Sequence, residues 1–181
     1  LSQGVMVGVM TVTPLHMRDG NQDPLIIGLM ISLHIVGMYA FSPLIGRIAD
    51  RISKELLIGI GAIIAAIGSE IASHTEAPDA AGHMIGLFLI GIGWCSSLVA
   101  GSALMTETFP PEVRVATQST SDVLMTATGA VAGISSGLAV EQRSYHDLAH
   151  WAALVAVFLA VIASIAVVQQ SRIRESEVDP Q

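Results

Sequence analysis

The sequence predicts an all-α membrane protein of six transmembrane helices, and three observations carry that expectation. Of its 181 residues, 52% are hydrophobic and 13% charged, about half the charge that a soluble domain spreads over its surface. The apolar residues fall into six runs, close to the ~20 residues that a helix needs to cross hydrocarbon. Aromatic residues make up 4%, and the ~10-residue alternating strands and aromatic girdles of a membrane barrel are missing. A helix satisfies its own backbone hydrogen bonds, so runs that are apolar all round are stable in lipid as helices.

The spans follow in order. The first ends near Met17. The chain opens at Leu1 inside an apolar stretch with no n-region or cleavage signature of a signal peptide, so the expectation is that this span lacks its beginning. The second covers Leu25 to Ile45, the third Leu56 to Ala72 and the fourth Met84 to Thr106. The fifth covers Val115 to Val140 and the sixth Ala149 to Val168. Turn-forming and charged clusters divide them, such as Arg18-Asp19-Gly20-Asn21, Glu76-Ala77-Pro78-Asp79 and Pro110-Pro111-Glu112. Residues 1–168 thus form one bundle, and residues 169–181 a polar tail.

Basic residues set the expected orientation, because Lys and Arg concentrate in cytoplasmic loops. Arg47, Arg51 and Lys54 lie between the second and third spans, Arg114 between the fourth and fifth, and Arg172 and Arg174 in the tail. The alternate loops hold only Arg18 and Arg143. Both ends of the chain are therefore expected in the cytoplasm, with the bundle in the cell membrane and the lipid bilayer as its principal partner. The net charge of −7 is spread over loops and tail, and no basic, aromatic-rich patch suggests nucleic acid. The lone Cys95 excludes a disulfide framework and reads as a small buried hydrophobe. No cofactor, metal site or catalytic residue is expected.

Polar residues inside the spans need a reason. The third and sixth spans are nearly featureless, whereas the first carries Thr11, Thr13, Pro14 and His16. The fourth carries Trp94, Cys95, Ser96, Ser97, Ser102 and Thr106. On the fifth, Gln118, Asp122, Thr126 and Gly133 fall roughly on one face, which must look at protein or water. Asp122 lies eight residues beyond Arg114, ~12 Å along a helix. It is either a solute, proton or gating contact, or a structural partner for a neighbouring helix. His34, in the middle of the second span, suits proton transfer or hydrogen-bonded packing. His16 and Trp94 are candidates for a cavity wall, with interfacial and packing roles as the alternatives. Glycines at four-residue spacing, Gly129, Gly133 and Gly137, and the series Gly93, Ser97, Gly101, mark close helix approaches.

The loop Gly46-Arg47-Ile48-Ala49-Asp50-Arg51-Ile52-Ser53-Lys54 resembles the loop signature of the major facilitator superfamily. Gly46, Asp50, Arg51 and Lys54 match, while Ser53 and Glu55 depart from the glycine and basic residue usual there. Glu107-Thr108-Phe109-Pro110-Pro111-Glu112-Val113-Arg114 is similar to the acidic-Pro-Arg turn at the cytoplasmic end of that family's tenth helix. Thr13-Pro14-Leu15-His16-Met17 and His34-Ile35-Val36-Gly37-Met38-Tyr39 also resemble bacterial members. The resemblance covers the chain as helices seven to twelve, the C-terminal half of a bacterial transporter, built as inverted three-helix repeats. It implies transport of a small organic solute by alternating access, with protons as a candidate coupling ion. The partner would be an N-terminal six-helix half that this chain lacks.

The resemblance assigns roles residue by residue. Thr13, His16, His34, Trp94 and Asp122 become cavity or substrate candidates. Gly46, Arg47, Asp50, Arg51, Lys54, Glu107 and Arg114 become a cytoplasmic gate, an ion-pair cluster that breaks as the halves rock. Asp50 can accept from a neighbouring helix N-terminus, where the dipole favours an anion. The sparse charge facing the cavity favours neutral or amphiphilic solutes. Two other readings stand beside transport: a structural or assembly subunit, and an intramembrane serine protease using Ser96, Ser97 or Ser102 with His16 or His34. The second lacks a nucleophile turn paired with a histidine on a late helix.

Overall fold

The computed structural model describes the backbone over residues 1–178 and the side chains over residues 1–169. Among the described residues it is helical and without strands, as expected: α1 (Ser2–Asp19), α2 (Pro24–Tyr39), α3 (Ser42–Ala49), α4 (Lys54–Ser73), α5 (Ala80–Thr108), α6 (Pro111–Gln142) and α7 (Tyr145–Val178). Five stretches are long and apolar enough to cross a bilayer: α2 continued by α3, α4, α5, α6, and α7 as far as Gln169. α1 is not among them, because its 18 residues include Gln3, His16, Arg18 and Asp19 with an internal Pro14. Its neighbours supply what lipid would not, and Val9, Thr13 and Met17 on it are fully buried.

The second expected span is two helices rather than one. Pro43 has no N–H to return to the Tyr39 carbonyl, so the helix breaks at Ala40 and Phe41. The Ser42 hydroxyl donates to that freed carbonyl over 3.0 Å. At the other end of the chain, α7 stays helical to Val178, through most of the segment expected as a polar tail. Residues 179–181, and the side chains of Arg172 and Arg174, lie outside the described residues.

The expected loops carry the chemistry that starts and stops helices. Asp23, Ser53 and Asp79 are N-caps whose side chains accept from Leu25, Leu56, and both Ala81 and Gly82 backbone N–H groups. Asn21, at φ 60°, takes the left-handed conformation that its short polar side chain tolerates.

α4 lies at the centre, packed against α5 on one side and α7 on the other. A Cβ added to Gly61 would come 2.8 Å from the Gly93 carbonyl oxygen, and one on Gly68 would come 2.6 Å from that of Gly86. α4 and α5 therefore touch backbone to backbone, which only hydrogen side chains permit. α7 meets α4 through alanines: Ala149, Ala153, Ala156, Ala160 and Ala163 are buried, while Leu154, Phe158, Val161 and Ile165 are exposed. That division places large apolar groups on the lipid side and small ones on the protein side.

The small-residue series are used in part. Gly93 serves α4 together with Gly86, whereas Gly101 has open space around its α-carbon. Gly129 and Gly133 rest on Gln3 and Val7 of α1, and Gly137 touches nothing comparable.

Candidate functional site

α6 lies along α1 and makes few contacts with α5 or α7. The space left between α1, α5 and α6 is a cavity of about 260 Å³. Leu98, Met105 and Met125 give it an apolar side, and Gln3, Ser97, Ser102, Gln118, Ser121 and Asp122 a polar one. The Trp94 Nε1–H donates to Gln3 Oε1 over 2.6 Å, which ties α5 to the start of α1. Tyr39 meets Trp94 edge-on with ring centroids 5.9 Å apart, so α2 adds an exposed aromatic beside the cavity. Gln118 Nε2–H donates to Asp122 Oδ1 over 3.1 Å, one helical turn away. Ser97 Oγ is buried without a hydrogen-bond partner among the described residues.

Asp122 is the one charged side chain in the lining. It makes no ion pair among the described residues, so its charge is available to a ligand. An ionisable group at membrane depth costs ~2.5–3.5 kcal/mol on insertion scales at the helix centre, and Asp122 is exposed along the cavity wall. The site offers one anionic acceptor, two amides, several hydroxyls and an indole edge. No histidine is among its lining residues.

Of the five cavity candidates read from sequence, Trp94 and Asp122 come together here. The other three lie elsewhere. Thr13 is fully buried near the far end of α1, its Oγ1 bonded to the Val9 carbonyl over 2.7 Å and to the Tyr145 hydroxyl over 3.0 Å. His16 stacks on Tyr145 with centroids 4.1 Å apart. His34 is fully buried between α2 and α5, its Nδ1–H donating to the Leu87 carbonyl over 2.6 Å, which is the packing alternative weighed for it.

The gate candidates share one end of the bundle without forming a single cluster. Lys54 Nζ pairs with Glu107 Oε1 at 2.7 Å, joining α4 to α5. Arg114 donates from Nε to the Phe109 carbonyl over 2.8 Å and so fastens the α5–α6 turn. Arg47, Asp50 and Arg51 are exposed and make no ion pair among the described residues. The Asp50 backbone closes α3 by donating to the Gly46 carbonyl, and Gly46 has room beside it for a further group. Of the expected gate residues, Lys54 and Glu107 are the two joined by an ion pair among the described residues.

Sequence reasoning overlooked Gln3, Tyr145, His83 and His146. Gln3 was detectable as an amide inside an apolar opening stretch. The other three sit at span ends, where polar residues ordinarily pass for interface.

An all-helical bundle of apolar spans around a polar, charge-bearing cavity defines a multi-pass membrane protein. The chain belongs to the Major Facilitator Superfamily, which it matches over residues 1–180. It is 36% identical over 160 residues to an uncharacterized MFS-type transporter, YddS, of Bacillus subtilis (strain 168), covering 88% of this chain and 36% of that one. A second Bacillus subtilis MFS-type transporter, YdeG, is 35% identical over 145 residues, 80% of this chain and 34% of its own. The riboflavin transporter RfnT of Brucella anthropi is 27% identical over 165 residues, 91% and 40% of the two chains. The chain thus spans well under half the length of each of these relatives.

Proposed function

We propose that this chain is the C-terminal half, helices seven to twelve, of a bacterial transporter that moves a small organic solute by alternating access. The observation that carries the proposal is the cavity between α1, α5 and α6, which Trp94 and Asp122 both line. Residues 1–168 supply one wall of the solute path, and the Lys54–Glu107 rim faces the cytoplasmic side of the cell membrane, the side to which the basic residues of the tail are also assigned. Both chain ends face the cytoplasm, in keeping with the basic-residue count. The second wall is the N-terminal six-helix half, because solute sites in such folds lie between repeats at the bilayer midplane.

The indole edge of Trp94, the nearby ring of Tyr39 and the amides of Gln3 and Gln118 suit a flat, hydrogen-bonding organic solute. A relative named as a riboflavin transporter makes nitrogen heterocycles the first solutes to assay. Asp122 is the candidate for proton coupling, since it is the one carboxylate side chain in the lining.

Thermal stabilisation of the detergent-solubilised full-length protein tests the reading, with a panel of heterocycles and polyols as probes. At least one class should stabilise the wild type and lose its effect in Trp94→Ala. Asp122→Asn should abolish uptake or efflux driven by a pH gradient while the protein stays folded. Wild-type coupling in that variant would remove Asp122 from the proton path.

A further inference from the structure

The end of the bundle opposite the Lys54–Glu107 rim gathers imidazoles. His16 of α1, His83 of α5 and His146 of α7 surround Tyr145. From His16, the ring centroids of Tyr145, His146 and His83 lie 4.1, 5.3 and 5.5 Å away. Backbone carbonyls orient two of the rings: His83 donates from Nδ1 to Asp79 over 2.7 Å, and His146 from Nδ1 to Ser73 over 2.6 Å. A carbonyl only accepts, so each Nδ1 carries the hydrogen, and Nε2 of the neutral ring holds a lone pair. For His83, whose side chain is fully buried, that Nε2 has no partner among the described residues. The Nε2 of His16 is buried and unpartnered as well. His34 of α2 also leaves its Nε2 unpartnered, but it sits alone against α5, whereas His16 and His83 are gathered with a third imidazole around one tyrosine.

We propose that His16, His83 and His146 form a proton-operated clasp on the ends of α1, α5 and α7. Neutral, the rings pack around Tyr145, His16 stacked on it and the other two tilted or edge-on, and hold the three helices together beside Thr13. Charged at more than one ring, they place like charges side by side in a packed setting and drive the end of α1 from its neighbours. The surrounding charges are few. α5 offers Asp79, whose carboxylate already accepts from the Ala81 and Gly82 N–H groups. α1 offers the exposed Arg18 and Asp19. α7 offers Tyr145 and Asp147, the latter bonded to Ser144. From α4, Glu70 is held by His74 at 3.1 Å and His150 at 3.0 Å. Asp79 balances one added proton, and the second meets repulsion. The consequence for transport, that acid on this side favours the state open to it, rests on the alternating-access reading above; the clasp itself does not.

The full-length protein in liposomes, in an active cysteine-free background, provides the test. Ala149→Cys places a thiol in the fully buried layer near the cluster, and Glu141→Cys is an exposed control. The ratio of their rates with a hydrophilic maleimide cancels the thiol's own ionisation. The ratio should rise about fivefold between about pH 8 and about pH 4.5, on the acid side of the ordinary imidazole range because packed rings resist charging, and stay flat with His16→Asn and His83→Asn together. Asparagine keeps a hydrogen-bonding side chain that does not titrate. A wild-type ratio independent of pH overturns the proposal, whether or not the variants fold; so does an unchanged response in either folded single variant and in the double. Labelling needs no solute, so it can fail while solute stabilisation succeeds, and the reverse.

Discussion

α4 and α6 are both long and apolar enough to cross a bilayer, yet 50% of α4's apolar window is buried inside the bundle and 11% of α6's. α4 touches the backbone of α5 at Gly61 and Gly68 and meets the buried alanines of α7, with Gly59 against Ala163, so its small residues are used for packing. α6 rests on α1 by one glycine-bearing face and leaves Ser119, Thr120, Asp122 and Thr126 exposed. Two of those hydroxyls are returned to their own helix, Thr120 to the Ala116 carbonyl and Thr126 to that of Asp122, which lowers the cost of polar groups at membrane depth. Asp122 has no such backbone outlet. The difference teaches that one layer of the bundle is organised for packing, and the other leaves its polar side open.

That contrast can be broken where it is tightest. Gly93→Leu would drive a side chain into the Gly61 backbone, an overpacking with an expected cost of about 3 kcal/mol, or no folded protein, by thermal denaturation in detergent. Gly137→Leu on α6, with open space beside it, should shift stability by no more than about 0.5 kcal/mol. Comparable losses at the two positions would erase the distinction between the layers. A smaller effect is expected where α1 meets α7. Tyr145→Phe keeps the ring on His16 but removes the hydroxyl bond to Thr13, a loss of about 1 kcal/mol in the same assay. The smallest effect belongs to the rim, where Lys54→Gln breaks an ion pair whose acidic partner is largely exposed; about 0.5 kcal/mol or less is expected, shrinking further in high salt.

The sequence made the spans legible, because lipid leaves few ways to arrange long apolar runs. It also ranked them, with the third and sixth featureless and the fourth and fifth polar, and the cavity lies on the polar ones. The break at Ala40 and Phe41 was not legible, since proline is tolerated within membrane helices and Pro43 did not announce a second helix. Helix rotation was the larger gap. Thr13 and Trp94 are both polar features of polar spans, yet one faces Tyr145 and the other the cavity, and spacing along one helix cannot say which neighbour each face meets. His16, His83 and His146 lie on three separate spans, so their meeting depends on the packed bundle. Likewise the rim charges were identifiable as a group, while the selection of Lys54 over the arginines for Glu107 depends on where α4 and α5 cross.

The central claim is that α6 lines a hydrated solute path while the outer face of α7 meets lipid. Hydrophilic thiol reagents measure it directly in the full-length protein embedded in liposomes, comparing Ser121→Cys in the cavity wall with Phe158→Cys on the exposed apolar side of α7. Because only a hydrated thiol ionises and reacts, Ser121→Cys should be modified at least about tenfold faster than Phe158→Cys. Equal and slow modification of both would mean that α6 faces lipid, and the cavity would lose its claim to be the solute site.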